Sequence, residues 1–302
     1  MVHRFLVRFA VIGVAAAALI SSAACSGGAS SSDGRVAVVA STAVWGSLAV
    51  QVGGDRVVVT SLLQGQSVDA HDYEPKPADG RAVARARYVI VNGLGYDSWA
   101  SKLLAANRSS DRSVLDVGEL VGLRDGANPH RWYAPDDVRR VVDQIAVDLA
   151  RIDPAHAAEY EQRRAELLTS GMREYFELIA AIRRAEPGAP VGATESVAAP
   201  LVEALGLRLV SPPSFLAAVA EGIDPTPQDK ATMEAQIRGR QLRVLIVNRQ
   251  NLTPDVQRLV EAAKAVGVAT VEVTETPPVD TSFQAWQVAQ LRALAAALEA
   301  TR

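Results

Sequence analysis

Apolar positions in this chain come in short bursts separated by longer amphipathic stretches. Val36-Ala37-Val38-Val39-Ala40, Val57 to Leu63 and Tyr88-Val89-Ile90-Val91 have the length and β-branched content of buried strands. Between them, Trp45 to Val52 closed by Gly53-Gly54, and Pro77 to Ala86, have the spacing and end residues of helices. This βαβαβ rhythm predicts a parallel sheet with helices on both faces, its ligands gathered at the loops after the strands' carboxyl ends. Asp136 and Asp137 then open a helix to Ile152, and Asp153-Pro154 restarts a longer one to Ala185. Along it Tyr160, Leu167, Leu168, Met172, Tyr175, Phe176, Ile179 and Ile182 recur at three- and four-residue steps as one apolar stripe. About thirty helical residues reach ~45 Å, the length of a stiff strut running along two domains. After Gly188 the alternation resumes, with strands around Val191 and at 207–210, 242–247 and 269–273. Helices are expected at 197–205, 228–237 and 254–266, with a last amphipathic one at 284–300.

The pattern therefore predicts an α/β protein of two α/β lobes, each a parallel sheet flanked by helices, joined by one long rigid helix with a binding site in the interlobe cleft. The N-terminal lobe is assigned to 35–135, the helical segment to 136–187 and the C-terminal lobe to 188–302. Asn92-Gly93-Leu94-Gly95 lacks the third glycine of a dinucleotide loop and reads as a tight turn, with Asp97 or Ser98 capping the helix that contains Trp99.

Ahead of the lobes, Met1 to Cys25 has a basic start, an apolar run from Phe9 to Ile20 and a small-residue end, the pattern of an export signal. Cys25 is placed for lipid attachment, the alternative being cleavage near Ala24 and free secretion; residues 26–34 then form a Gly/Ser-rich tether. Cys25 is the only cysteine, which excludes a disulfide framework and a thiolate metal site. The leader carries two arginines and no acid, so the net charge of −3 becomes −5 without it. That balance argues against nucleic acid as a partner. A monomer is expected.

Four side chains could meet in the cleft. His71 lies in a loop framed by Pro75 and Pro77, and His130 in a second loop framed by Pro129 and Pro135. Glu195 follows the strand at 190–194, and Glu275 follows the one ending at Val273. Singly, each is an ordinary surface residue. Together they make two imidazoles and two carboxylates, two groups from each lobe, a donor set suited to Mn²⁺, Fe²⁺ or Zn²⁺. Cu(I) prefers sulfur, and Mg²⁺ and Ca²⁺ prefer all-oxygen shells. Asn248 and Gln250, at the end of the 242–247 strand, are placed to hydrogen-bond a ligating carboxylate, and His156 reads as an exposed helix residue. A secreted metal-dependent hydrolase could use the same ligands, but it needs an open coordination position and a general base. No His-Glu-x-x-His helix is present.

These segments resemble the metal-binding solute-binding proteins of bacterial ABC importers for zinc, manganese or iron. His71-Asp72-Tyr73-Glu74-Pro75-Lys76-Pro77-Ala78-Asp79 is similar to that family's first-ligand loop, and Asn92-Gly93-Leu94 to its Asn-Gly-Leu turn. Pro129-His130-Arg131-Trp132 with Pro135 is similar to the second-ligand loop, Glu195 to the third ligand and Glu275 to the fourth, which is more often Asp. The resemblance implies a binding protein and not an enzyme. Its metal ligands would be His71, His130, Glu195 and Glu275, its partners an ABC permease with a separate ATPase, and its membrane attachment a lipid on Cys25. A surface adhesin or metallochaperone with the same ligands is the alternative. Ala70 and Ala134 replace the family's usual Pro and Asp. Glu at 195 and the lack of a His-rich loop lean towards Mn²⁺ or Fe²⁺ over Zn²⁺.

Overall fold

The computed structural model describes residues 34–66 and 73–301; the leader with Cys25, nearly all of the tether, and His71 lie outside them. The first half runs β1 (Val36–Thr42), α1 (Ala43–Gly53), β2 (Val57–Leu63), α2 (Pro77–Arg85), β3 (Tyr88–Val91), α3 (Ser98–Ala106), β4 (Ser113–Asp116) and α4 (Val117–Val121). Its strands pair in parallel in the order β2-β1-β3-β4. Helices cover both faces, so the central strands bury consecutive residues; every residue of β3 is at most 2% exposed. The pattern predicts three strands here and the structure has four. The additional one, β4, is an edge strand with only Val114 and Leu115 as apolar residues, and Val114 is half exposed, so it leaves no hydrophobic run to read.

The connecting region runs α5 (Pro135–Ile152), α6 (Ala157–Glu166), a π turn (Leu167–Gly171) and α7 (Arg173–Ala185). The expected strut is thus helical along its length but carries a π turn at its middle. There the Thr169 hydroxyl donates to the Ala165 carbonyl (2.6 Å) and the Ser170 hydroxyl to the Glu166 carbonyl (3.0 Å), just ahead of Gly171. Such back-bonding competes with the regular ladder. The apolar stripe survives the break, since Tyr160, Leu167, Met172, Tyr175 and Ile182 are all buried. His156 is not the exposed helix residue expected. Itself half-buried, it closes an otherwise exposed 3-10 turn and bonds Asp153 through Nδ1 (2.8 Å), and Tyr160 donates to the same carboxylate oxygen (2.7 Å).

The second lobe runs β5 (Pro190–Ala193), α8 (Ala199–Ala204), β6 (Arg208–Leu209), α9 (Pro213–Ala220), α10 (Pro227–Arg238), β7 (Val244–Asn248), α11 (Pro254–Val266), β8 (Ala269–Val273) and α12 (Phe283–Ala300). All its pairings are parallel, in the order β6-β5-β7-β8, which repeats the first sheet's topology. Helix α9 is absent from the sequence pattern because Pro212-Pro213 reads as loop; here Pro213 opens the helix, and Phe215, Leu216 and Val219 are buried beneath it.

α12 packs on α7 and on the second sheet and reaches α1 of the first lobe. At that crossing Phe283 N–H donates to the Ser47 hydroxyl (3.0 Å), and the Gln51 and Gln284 amides bond reciprocally (3.1 and 2.7 Å). Buried apolar residues of both lobes form one continuous core. No helix among the described residues is long and apolar enough to cross a membrane.

The fit of α1 on β2 makes a direct prediction. A Cβ on Gly46 would sit 2.0 Å from Ser61 Oγ and 3.3 Å from its Cβ. Gly46→Ala should therefore cost ~1–3 kcal/mol in urea unfolding. Adding Ser61→Ala should recover part of that loss, and a Gly46→Ala protein as stable as wild type would show that the contact is not tight.

Candidate metal centre

Three of the four sequence-predicted residues meet. His130, Glu195 and Glu275 each offer a ligand atom, and these atoms lie within 4.8 Å of one another; among the described residues no other group of three or more His, Cys, Asp and Glu side chains does so. His130 and Glu195 are each 2% exposed. The loop before α5 supplies His130, the turn after β5 supplies Glu195, and the turn after β8 supplies Glu275. The two glutamate turns lie at the carboxyl ends of parallel strands, where open α/β sheets gather ligands, whereas the His130 loop follows α4. The fourth residue, His71, lies outside the described residues. On the N-terminal side of its loop the chain is pinned to the second lobe: Gln66 Nε2 donates to Thr274 Oγ1 (3.2 Å) and the Thr276 carbonyl (3.3 Å), and Thr276 Oγ1 donates to the Gly65 carbonyl (2.8 Å). On the C-terminal side it is pinned to the first lobe, where Tyr73 donates to Asp79 (2.8 Å) and Asp79 accepts the Lys76 N–H (2.7 Å).

Neighbours fix each donor. Asn128 Oδ1 accepts the His130 backbone N–H (3.0 Å) and lies 2.9 Å from Nδ1, while Asn128 Nδ2 donates to the Ser196 carbonyl of the second lobe (2.7 Å). With an acceptor at Nδ1, that nitrogen is the donor, and Nε2 is the ring nitrogen turned to the cluster, where a metal ion would take its lone pair. Ala134 leaves α5 without a side-chain cap. The loop is held instead by Arg131, which donates to Asp137 through Nε at 2.8 Å.

The two carboxylates share one amide: Asn248 Nδ2 donates to Glu195 Oε1 (2.7 Å) and to Glu275 Oε1 (2.8 Å). Asn251 donates to Glu195 Oε2 (2.8 Å) and Tyr96 to Glu275 Oε2 (2.9 Å). Gln250 touches neither carboxylate. Its Oε1 accepts the backbone N–H groups of Glu275 (2.7 Å) and Thr276 (3.1 Å), which fixes the turn that carries Glu275. Asn128, Asn251 and Tyr96 escape sequence reasoning because nothing in their local context marks them. Asp97 also differs from expectation: it stands at the start of α3, but its carboxylate is turned back to accept the N–H groups of Asn92 (2.7 Å) and Gly93 (2.9 Å).

Burial and the neighbouring Glu275 charge push the Glu195 carboxyl up to about 7 against the pull of His130 and the two asparagine amides. Burial also raises Glu275, but hydrogen bonding and charge from His130, with Tyr96 and Asn248 adding to them, hold it below the usual carboxylate range. The pair thus keeps one firm anion and one proton-accepting group. A divalent cation between them would supply the positive charge that two adjacent buried carboxylates lack.

Two lobes of like topology, a helical connector and a buried imidazole-carboxylate cluster on the seam define the class of two-lobed solute-binding proteins. The family described as zinc-uptake complex component A, periplasmic (ZnuA), matches residues 38–297, and the chain belongs to it. This is a family of metal-uptake binding components, not of enzymes. Among its relatives are the manganese-binding lipoprotein MntA of Halalkalibacterium halodurans, 32% identical over 148 residues (47% of this chain and 48% of that one), and the iron-binding protein YfeA of Yersinia pestis, 28% identical over 159 residues (49% and 51%). The chain spans about half the length of the curated relatives it matches. Solved structures with the same fold include the Mn-bound periplasmic metal-binding protein of Candidatus Liberibacter asiaticus, with TM-score 0.72 and 17% identity over 87% of this chain and 99% of that one. FpvC of Pseudomonas aeruginosa in complex with Mn²⁺ also has TM-score 0.72, with 20% identity over 89% of this chain and all of that one.

The electrostatics predict a pH signature for the metal-free protein. A carboxyl whose pKa is raised by folding contributes stability below its unfolded pKa, and that contribution is lost as the pH rises through the folded value, here about 7. Glutamine at 195 has nothing to ionise. Thermal unfolding should therefore show the Tm of Glu195→Gln rising relative to wild type between about pH 5 and about pH 8; a Tm difference constant over that range would contradict the raised pKa.

Proposed function

We propose that this chain is the extracytoplasmic capture component of an ABC importer, binding one divalent transition-metal ion (Mn²⁺, Fe²⁺ or Zn²⁺) between its lobes. It then hands the ion to a membrane permease driven by a separate ATPase. The observation that carries this reading is the convergence of His130, Glu195 and Glu275 on the interlobe seam, the first two buried and the third largely so, each braced by further hydrogen bonds. His71 completes the ligand set on the strength of its loop motif. Imidazole and carboxylate suit borderline divalent ions, and the two anions neutralise the cargo. The glutamate at 195 and the manganese- and iron-binding relatives favour Mn²⁺ or Fe²⁺ as cargo, although at equal availability Zn²⁺ binds such sites more tightly than Mn²⁺. A lipid on Cys25 holds the protein, as a monomer, at the outer face of the cell membrane.

Titration of metal-free protein with each ion, by calorimetry and thermal shift, tests the reading. At 100 times Kd the bound ion should add about 2.7 kcal/mol of stability. Absence of stabilisation by all three ions would overturn it. His71→Ala, His130→Ala, Glu195→Ala and Glu275→Ala should each weaken binding by ~100-fold or more, beyond the loss expected for a supporting residue. A variant that keeps wild-type affinity removes its residue from the ligand set.

A further inference from the structure

A tyrosine hydrogen bond crosses the seam onto a carboxylate of the cluster. Tyr96 belongs to the first lobe, and its hydroxyl donates to Glu275 Oε2 of the second at 2.9 Å. The same oxygen lies 3.7 Å from His130 Nε2. Glu275 Oε1 is held from its own lobe by Asn248, whereas both oxygens of Glu195 are held within the second lobe, by Asn248 and Asn251. Glu275 is therefore the carboxylate whose orientation depends on the lobes being together.

Tyr96 is aimed by a costly turn. Gly93, Leu94 and Gly95 have φ of 71°, 57° and 80°, and Leu94 takes that left-handed conformation with a branched side chain. The buried Asp97 carboxylate clamps the turn through the Asn92 and Gly93 N–H groups. Asn92 accepts from Trp45 Nε1 (3.1 Å) and donates to the Pro129 carbonyl (3.0 Å), immediately before His130. One anchor thus orients both the turn behind Tyr96 and the loop behind His130. The Tyr96 ring is 2% exposed and packs edge-on against His130 (5.9 Å) and Trp132 (5.1 Å). Those ring contacts need no hydroxyl. The hydroxyl is directed at the Glu275 carboxylate, and strain held at such a place marks positions where geometry serves a ligand.

We propose that Tyr96 is a positioning residue of the cation site, its hydroxyl turning Glu275 towards His130 so that release of a bound divalent ion requires this interlobe contact to part. The inference rests on the metal-capture reading above. Tyr96→Phe keeps the ring and removes the contact. Stopped-flow transfer of Mn²⁺ and of Zn²⁺ to an excess of chelator should show release about tenfold faster than wild type, with association within about twofold, since losses at a bound interface fall mainly on the off-rate. In a Glu275→Ala background, which removes the acceptor, Tyr96→Phe should add no further change. A merely structural role would instead act equally in both backgrounds.

Release from Tyr96→Phe within about twofold of wild type, or an equal effect in both backgrounds, overturns the inference. If Tyr96→Phe also lowers the metal-free Tm, the comparison of backgrounds still decides. Failure of wild type to bind Mn²⁺, Fe²⁺ and Zn²⁺ removes the capture reading and this inference together. Binding by wild type with an unaffected Tyr96→Phe removes this inference alone.

Discussion

Two carboxylates buried side by side repel each other, and much of the second lobe's architecture around the seam answers that constraint. Asn248 places one amide nitrogen on an oxygen of each. Asn251 and Tyr96 take the opposite oxygens, and Gln250 holds the backbone from which Glu275 projects. The remedy is unequal, since Glu195 is driven towards its neutral form and Glu275 stays ionised beside His130. Asn248 ends β7, the strand between β5 and β8, and so stands between the turns that deliver Glu195 and Glu275. The strand order 6-5-7-8 is thus what allows one side chain to serve both acids.

The same turn that carries Glu275 is stitched to the first lobe. Tyr133 Oη lies 2.8 Å from both the Thr274 carbonyl and Gln290 Oε1, and the Thr274 hydroxyl accepts from Gln66 (3.2 Å). Wide hinge opening would strand a fully buried phenol, with a desolvation cost of ~1–3 kcal/mol. Together with α12, which reaches from the second sheet to α1, this favours small rearrangement at the seam over rigid separation of the lobes. The π turn in the connector lies where α7 leaves α6, so the strut keeps its buried stripe on both sides without being one uniform rod.

Long apolar runs make most of this fold legible in the sequence. β1, β3 and β7 are marked by nearly continuous apolar residues, β2 and β8 by shorter valine-rich stretches, and α11 by its proline start and glycine stop. β4 and α9 are not legible, because one has only two apolar residues at a sheet edge and the other hides behind a proline pair. At the site, His130, Glu195 and Glu275 are readable because proline frames and strand ends are local signals. Asn128, Asn251 and Tyr96 are not, since their roles arise from partners as distant as 179 residues in sequence. Asn248 bonds a carboxylate as expected, and in fact both, whereas Gln250, expected to do the same, grips only backbone; the difference depends on how the turns after β7 and β8 pack. His71 stands on its sequence context.

The two lobes divide the chemistry as well as the topology. Among the described residues of the cluster, the first lobe offers an imidazole, which ligates a metal only as the neutral ring, and the second offers both carboxylates. For a divalent cation, nearly all of the charge compensation would then sit on one lobe, with the imidazole contributing directed donor strength but no charge. Withdrawing a neutral donor leaves the ion paired with its counter-charges, whereas withdrawing a carboxylate would leave net charge in a buried site. Parting at the seam on the imidazole side is therefore the lower-energy first step. The Tyr96 hydroxyl, the contact from that side that grips a carboxylate, is what such a step has to break.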